Sequence, residues 1–109
     1  MDFEFDGEVI HWRGPAPWFY VAMPEEASAQ IKAVAADLTF GWGMIPAVVT
    51  IGPVRWYTAC FERDGRYLVP LKAAVRRRAG IDLGDRVEVR VEVGGDHEAW
   101  ARDPLLRIE

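Results

Sequence analysis

Lys72 and Arg76 are the side chains whose types and spacing could bind an anion. They stand four residues apart, so on a helix they would share one flank. Two like charges in this arrangement destabilise the helix by about 0.2–0.5 kcal/mol unless a negative group lies beside them. That group is either a surface carboxylate, for which Glu62, Asp64 and Asp85 qualify, or a bound anionic ligand. The sequence leaves both readings open.

Three further side chains could complete an anion site. Thr58 offers a hydroxyl group, and Trp42 and Trp56 could form an aromatic wall. Trp42 stands between Gly41 and Gly43, so it either packs as a lid or contacts the ligand. The predicted ligand-binding set is Trp42, Trp56, Thr58, Lys72 and Arg76.

The other reactive side chains form no recognisable catalytic or metal-binding pattern. Cys60 lies in a hydrophobic run without an obvious base, which favours inert burial over a nucleophile. His11 has no acid or nucleophile nearby, and Asp82, Asp85 and Glu88 are spaced for a turn rather than for a metal cage. We predict no metal and no cofactor. No residue set identifies a substrate or a reaction, so whether the protein is an enzyme stays open.

Residues 65–91 predict the elements around this site. A strand leads into a two-turn helix that Pro70 opens and Gly80 ends. Proline has no N–H to lose at the first helical position, and glycine tolerates the left-handed conformation that stops a helix. A turn at Gly84-Asp85 then precedes a strand with apolar residues at every second position, namely Val87, Val89, Val91 and Val93.

The remaining elements follow from the same patterns. We predict strands at 3–12, 18–23, 45–51 and 54–61, turns at Gly52-Pro53 and Asp64-Gly65, a helix from Pro24 to residue 36 or 37, and one helical turn at 98–101. Segments 18–51 and 66–93 then repeat the order strand, proline, helix, glycine, strand. This repeat predicts a mainly β fold with two short helices, arranged as a closed barrel with a pseudo-twofold axis. Closure removes exposed sheet edges.

Composition indicates one domain in a reducing compartment. The chain has 109 residues, half of them hydrophobic, which predicts a single domain with its core in 3–93 and a tail at 94–109. One cysteine excludes an intramolecular disulfide, and the acidic start has no leader pattern, so we expect a cytoplasmic protein. The formal net charge of −4 disfavours nucleic acid as a partner, and no run of residues is apolar enough for a membrane span.

Part of the sequence resembles known families. The run Tyr67-Leu68-Val69-Pro70, with Arg76 or Arg77, Gly80-Ile81 and Gly84-Asp85-Arg86-Val87, resembles the swapped-hairpin motif of AbrB and MazE type transcription regulators and antitoxins. Over residues 3–93 the chain is more similar to a bacterial and archaeal family, the domain of unknown function numbered nineteen hundred and five. The residues that carry this likeness are Trp18, Pro24, Pro46-Ala47-Val48, Trp56-Tyr57-Thr58, Pro70, Lys72, Arg76 and Gly84-Asp85. The resemblance implies a single-chain double-split β-barrel related to the AbrB fold, and no settled activity.

Three classes of function are compatible with these features. The favoured one is a non-catalytic module that binds a small anionic ligand or a protein partner, as a monomer rather than an obligate dimer. An AbrB-like DNA-binding regulator is motivated by the resemblance and by Arg76-Arg77-Arg78, but the first predicted helix carries Glu25 and Glu26 and cannot supply a matching basic surface. A small enzyme acting on an anionic metabolite through Lys72 and Arg76 lacks a recognisable acid–base pair.

Overall fold

Seven antiparallel β-strands form one sheet that curves into a half-barrel. The computed structural model describes residues 1–12, 14, 18–38 and 43–108, without the side chain of Leu38. The strands are β1 (Asp2–Glu8), β2 (Ile10–Trp12), β3 (Trp18–Ala22), β4 (Ile45–Ile51), β5 (Val54–Arg63), β6 (Arg66–Leu71) and β7 (Arg86–Val93). Their order in the sheet is β1-β7-β4-β5-β6-β3-β2. The prediction of a mainly β fold is confirmed.

Strand β5 is the longest strand and joins the two parts of the sheet. Its first part pairs with β4 across the Gly52-Pro53 turn, and its last three residues pair with β6 across the Asp64-Gly65 turn. At the second turn Asp64 and Gly65 both have positive φ angles, of 51° and 81°. Two consecutive positive φ angles match the twist of a tight hairpin, which is why Asp-Gly is favoured there. Both predicted turns are confirmed.

The two predicted strand-helix-strand segments contact each other strand by strand. Strand β3 pairs with β6, where Val21 lies opposite Val69, and β4 pairs with β7, where Val49 lies opposite Val91. All four valines are fully buried. Each of these two strand pairs therefore contributes one valine–valine pair to the core.

Four α-helices flank the sheet in the described part of the chain, whereas the sequence predicts two. They are α1 (Glu25–Ala33), α2 (Ala35–Leu38), α3 (Ala73–Ala79) and α4 (His97–Arg102), with a 3₁₀ turn at Pro104–Leu106. The first predicted helix is divided because the N–H of Val34 bonds to the carbonyl of Ile31, three residues back, which tightens the turn and ends α1. Helix α4 confirms the helical turn predicted in the tail.

Pro70 does not open a helix, so that prediction is wrong. It lies in β6 opposite Tyr20, and α3 begins at Ala73 with Lys72 as its N-cap residue. Strand β6 pairs with β5 only through residues 66–68, so the missing N–H of Pro70 costs no hydrogen bond to that neighbour. The predicted end of the helix is confirmed, because Gly80 follows α3 in the left-handed conformation with φ of 68°.

The strand predicted at 3–12 is divided at Val9. The N–H of Val9 donates to the carbonyl of Asp85, and its own carbonyl accepts from the N–H of Gly84, both at 2.9 Å. Alternation is kept across the break, since Gly7 and Val9 are buried while Glu8 and Ile10 are exposed. The first and last strands in the sheet order, β1 and β2, are therefore consecutive parts of one chain segment.

None of the helices described above combines the length and the apolar character that crossing a bilayer would need.

Candidate ligand-binding site

Strand β5 carries two of the predicted site residues, Trp56 and Thr58, and both lie on its inner face. Trp56, Thr58 and Cys60 alternate on the inner face, where Trp56 and Cys60 are fully buried and Thr58 is half-buried. Tyr57 is half-buried on the outer face. Adjacent residues of one strand therefore meet the core and the surface respectively.

Trp56 belongs to the core. Its side chain is 0% exposed, and its Nε1–H has no hydrogen-bond partner in the described part of the protein. An unpartnered donor in an apolar core opposes folding, although burial of the large ring outweighs that cost. A surface ligand cannot reach this ring without opening the core.

The guanidinium of Arg76 contacts Leu71 and Phe19. Its Nε donates to the carbonyl of Leu71 at 3.3 Å, and its guanidinium carbon lies 3.7 Å from the centroid of the Phe19 ring. This cation–π contact fixes the guanidinium against the end of β3. The Phe19 ring also lies 4.8 Å from the ring of His11, which is thus a packed histidine.

The surface carboxylates that could have formed ion pairs with Lys72 and Arg76 bond to other groups. Glu62 bonds to Lys32 at 2.8 Å, Asp64 lies 3.9 Å from Arg63, and Asp85 accepts the backbone N–H of Asp82 at 2.9 Å. The ion pairs formed within residues 1–12, 14, 18–38 and 43–108 do not include Lys72.

Lys72 lines a small cavity of about 220 Å³ on the outer side of β5. The cavity is bounded on one side by the half-barrel and on the other by residues 96–108, called here the C-terminal segment. Its lining residues are Tyr57, Lys72, Trp100, Ala101, Leu106, Arg107 and Ile108. Thr58, Trp56 and Arg76 are not among them, and Trp42 lies outside the described residues. The structure therefore brings only Lys72 of the predicted set to this cavity.

The polar groups of this cavity are suited to an anion. Lys72 and Arg107 are both exposed cations, and among the described residues neither forms an ion pair with a carboxylate. Partial burial raises the pKa of the Tyr57 phenol above its usual value, so this group stays protonated near neutral pH and can donate a hydrogen bond. Two positive charges and one neutral donor thus line the same space.

Trp100 is positioned by the local sequence around it. Asp96 caps α4, since its Oδ1 accepts the backbone N–H groups of Glu98 at 3.1 Å and Ala99 at 3.2 Å. The indole then rests on Gly95, where an added Cβ would overlap the ring, and its centroid lies 6.3 Å from that of Tyr57. Gly95 is needed for this close approach.

Leu106 anchors the far end of the C-terminal segment. It is 3% exposed, whereas its neighbour Leu105 is 85% exposed. Asp103 accepts the backbone N–H of Leu105 at 2.9 Å and so begins the 3₁₀ turn that directs Leu106 inward. Arg107 follows directly and reaches the cavity.

A larger groove of about 530 Å³ is lined by residues of β1, β7 and the end of β4. Its lining includes Glu4, Asp6, Glu88 and Arg90. Arg90 is paired with Asp2 at 3.0 Å. The described residues contain no cluster of His, Cys, Asp or Glu that could hold a metal ion.

Cys60 has the surroundings of an inert thiol. It is fully buried, and this desolvation raises its pKa to about 12. Almost none of it is thiolate at neutral pH.

Sequence reasoning missed Tyr57, Trp100 and Arg107. Tyr57 could have been found, because alternation along β5 places it opposite Trp56, but the pattern alone does not say which face borders a cavity. Trp100 and Arg107 reach the site only through packing of the C-terminal segment on the sheet.

Comparison with known proteins gives a family and no curated relative. A family model described as Domain of unknown function (DUF1905) matches residues 5–91. No curated protein matches the chain. Of the cavity residues, Tyr57 and Lys72 lie inside the matched range, and the others lie beyond it.

Proposed function

The chain belongs to the DUF1905 family of domains of unknown function, and we propose that it is a non-catalytic module that binds a small anionic ligand in the cavity beside Lys72. The observation that carries this proposal is the convergence of Lys72 and Arg107, which have no carboxylate partner in the described residues, with the neutral phenol of Tyr57. Charge-assisted hydrogen bonds from such groups are the stronger ones.

The size of the cavity limits the ligand to a small metabolite. A volume of about 220 Å³ lies below the roughly 300–1,000 Å³ of sites for drug-sized molecules. It equals the bulk volume of about seven water molecules, at roughly 30 Å³ each. Trp100 and Leu106 offer apolar walls beside the charged groups, so a carboxylate or phosphate on a short carbon skeleton fits this lining.

A binding role fits the lining better than a catalytic one. Its reactive groups are one ammonium, one guanidinium and one phenol, and the phenol is a weaker acid than usual because of its burial. No nucleophile paired with a base stands among the seven lining residues. The DNA-binding and enzyme readings stay predictions from the sequence.

Titration calorimetry tests the proposal with inorganic phosphate, malonate and acetate at constant ionic strength. We expect saturable binding of phosphate or malonate that weakens about tenfold or more in Lys72→Gln and in Arg107→Gln, since each loses one charge-assisted contact. The matched control is Arg78→Gln, which removes an exposed charge of α3 outside the cavity. Equal weakening in the control, or no binding by the wild-type protein, would contradict the proposal.

We also propose that the half-barrel is closed, as a single-chain cytoplasmic monomer of the AbrB-related type with an internal twofold repeat. Two observations support closure. Strands β1 and β2 are consecutive parts of one segment, and a Cβ added to Gly7 of β1 would overlap Cγ1 of Val21 in β3. Light scattering after size exclusion should give a mass near 12.3 kDa. A concentration-independent dimer would contradict this part of the proposal.

A further inference from the structure

We infer that a small dianion bound in the cavity locks the C-terminal segment onto the barrel, so that ligand binding and docking of the segment strengthen each other. This inference rests on the proposed function and adds a regulation to it. The ligand class is a compact molecule with two negative charges, such as a phosphate monoester or a short dicarboxylate.

The cavity lies on the seam between two parts of the chain. Tyr57 and Lys72 belong to the barrel, while Trp100, Leu106 and Arg107 belong to the C-terminal segment. A ligand that fills this space touches both parts at once. Its binding energy is therefore available only when the segment is docked.

The charges across the seam make docking dependent on an anion. Lys72 on the barrel and Arg107 on the segment line the same cavity, and like charges across a gap repel each other. A dianion between them replaces this repulsion by two attractions. A monoanion such as acetate can answer only one of the two cations, so it should lock the segment less well.

The segment itself is held by few buried contacts. No residue of α4 is buried, and Leu106 is the only buried residue of the 3₁₀ turn. Elements with few buried apolar contacts open at a lower free energy than the core. A ligand that binds only the docked form shifts such an equilibrium in proportion to its occupancy.

Hydrogen exchange of the full chain tests the lock, with phosphate, malonate or acetate compared with chloride at equal ionic strength. We expect phosphate or malonate to slow exchange in residues 97–108 about fivefold or more while β4 is unchanged, and acetate to have a smaller effect. Arg107→Gln should lose this protection, and Arg102→Gln, on the same segment but outside the cavity, should keep it.

Coupling must also act in the reverse direction. Asp96→Ala removes the cap of α4 without touching the cavity lining, so it should weaken dianion binding by the factor by which it lowers the docked fraction of the segment. Calorimetric binding without protection of residues 97–108 would overturn the lock and leave the proposed function intact. No calorimetric binding would overturn both.

Discussion

The inner face of β5 and the cavity on its outer side use neighbouring residues for opposite purposes. Trp56 and Cys60 are fully buried among apolar side chains, and Trp56 even keeps a polar N–H without a partner in the described core. Tyr57 and Trp100 are half-buried, lie at tilted angles to each other and border a space lined by two cations. An aromatic residue near a basic one in the sequence therefore indicates a site only when its strand face is known.

The largest effect on stability should come from removing a buried side chain from the inner face of β5. Trp56→Ala should lower the free energy of unfolding by about 3–5 kcal/mol, because it removes a fully buried ring and leaves a cavity. Tyr57→Ala is the matched control and should change stability by less, since the ring of Tyr57 is only half-buried. Urea unfolding of both variants measures this difference. Comparable losses would mean that the two faces do not differ in burial.

Alkaline pH should act on the inner face through Cys60. Its pKa is about 12 in the folded protein and near 9 when exposed, so the folded state retains the thiol proton more tightly. Stability from this group is therefore intact below pH 9 and is lost as pH rises from 9 towards 12, by about 4 kcal/mol at most.

Cys60→Ala should weaken this alkaline loss in thermal unfolding. Some loss should persist, because burial also raises the pKa of Tyr57 and Tyr67. At pH 8 a thiol reagent should modify Cys60 only after unfolding. Fast modification of the folded protein would contradict its burial.

Ser28 and Asp96 both accept backbone N–H groups, the first in the core and the second on the C-terminal segment. Ser28 Oγ accepts the backbone N–H of Tyr67 at 3.0 Å inside the core. Ser28→Ala leaves that N–H buried and unpaired, at a cost of about 1–3 kcal/mol in global stability. Denaturant unfolding should detect this cost, and Ser28→Thr should retain much of the hydrogen bond. If the stability of the alanine variant is unchanged, this N–H must be in contact with water.

Asp96 likewise accepts backbone N–H groups, but on the exposed C-terminal segment. Asp96→Ala should cost about 1 kcal/mol, and the loss should be confined to the helix because no residue of α4 is buried. Amide exchange should rise in residues 97–102, while global unfolding by urea is barely altered. A loss of global stability as large as that of Ser28→Ala would show that the segment is part of the core.

Local signals in the sequence predicted much of the fold. The Asp64-Gly65 turn and the stop at Gly80 follow from backbone preferences, and both are confirmed. Pro70 was assigned to a helix start because proline suits that position. What decided its place is the short pairing of β6 with β5, which is a tertiary feature.

The site was less predictable than the fold. Lys72 could be chosen from its charge and spacing, and it does line a cavity. Arg76 was grouped with it by helical spacing, but stacking on Phe19 fixes its guanidinium elsewhere. No sequence pattern links Arg107 to Lys72. The two residues line the same cavity only because the C-terminal segment packs on the sheet. Whether Trp42 contributes stays a prediction.

The most direct test of the anion site is the position of two indole signals during a phosphate titration of the ¹⁵N-labelled protein. The Nε1–H signal of Trp100, which lines the cavity, should shift with saturation, and that of Trp56, which is fully buried, should stay in place. Replacing Trp100 by Phe assigns the signal. A saturable shift of Trp56 with Trp100 unchanged would place the anion in the core and contradict the proposed site.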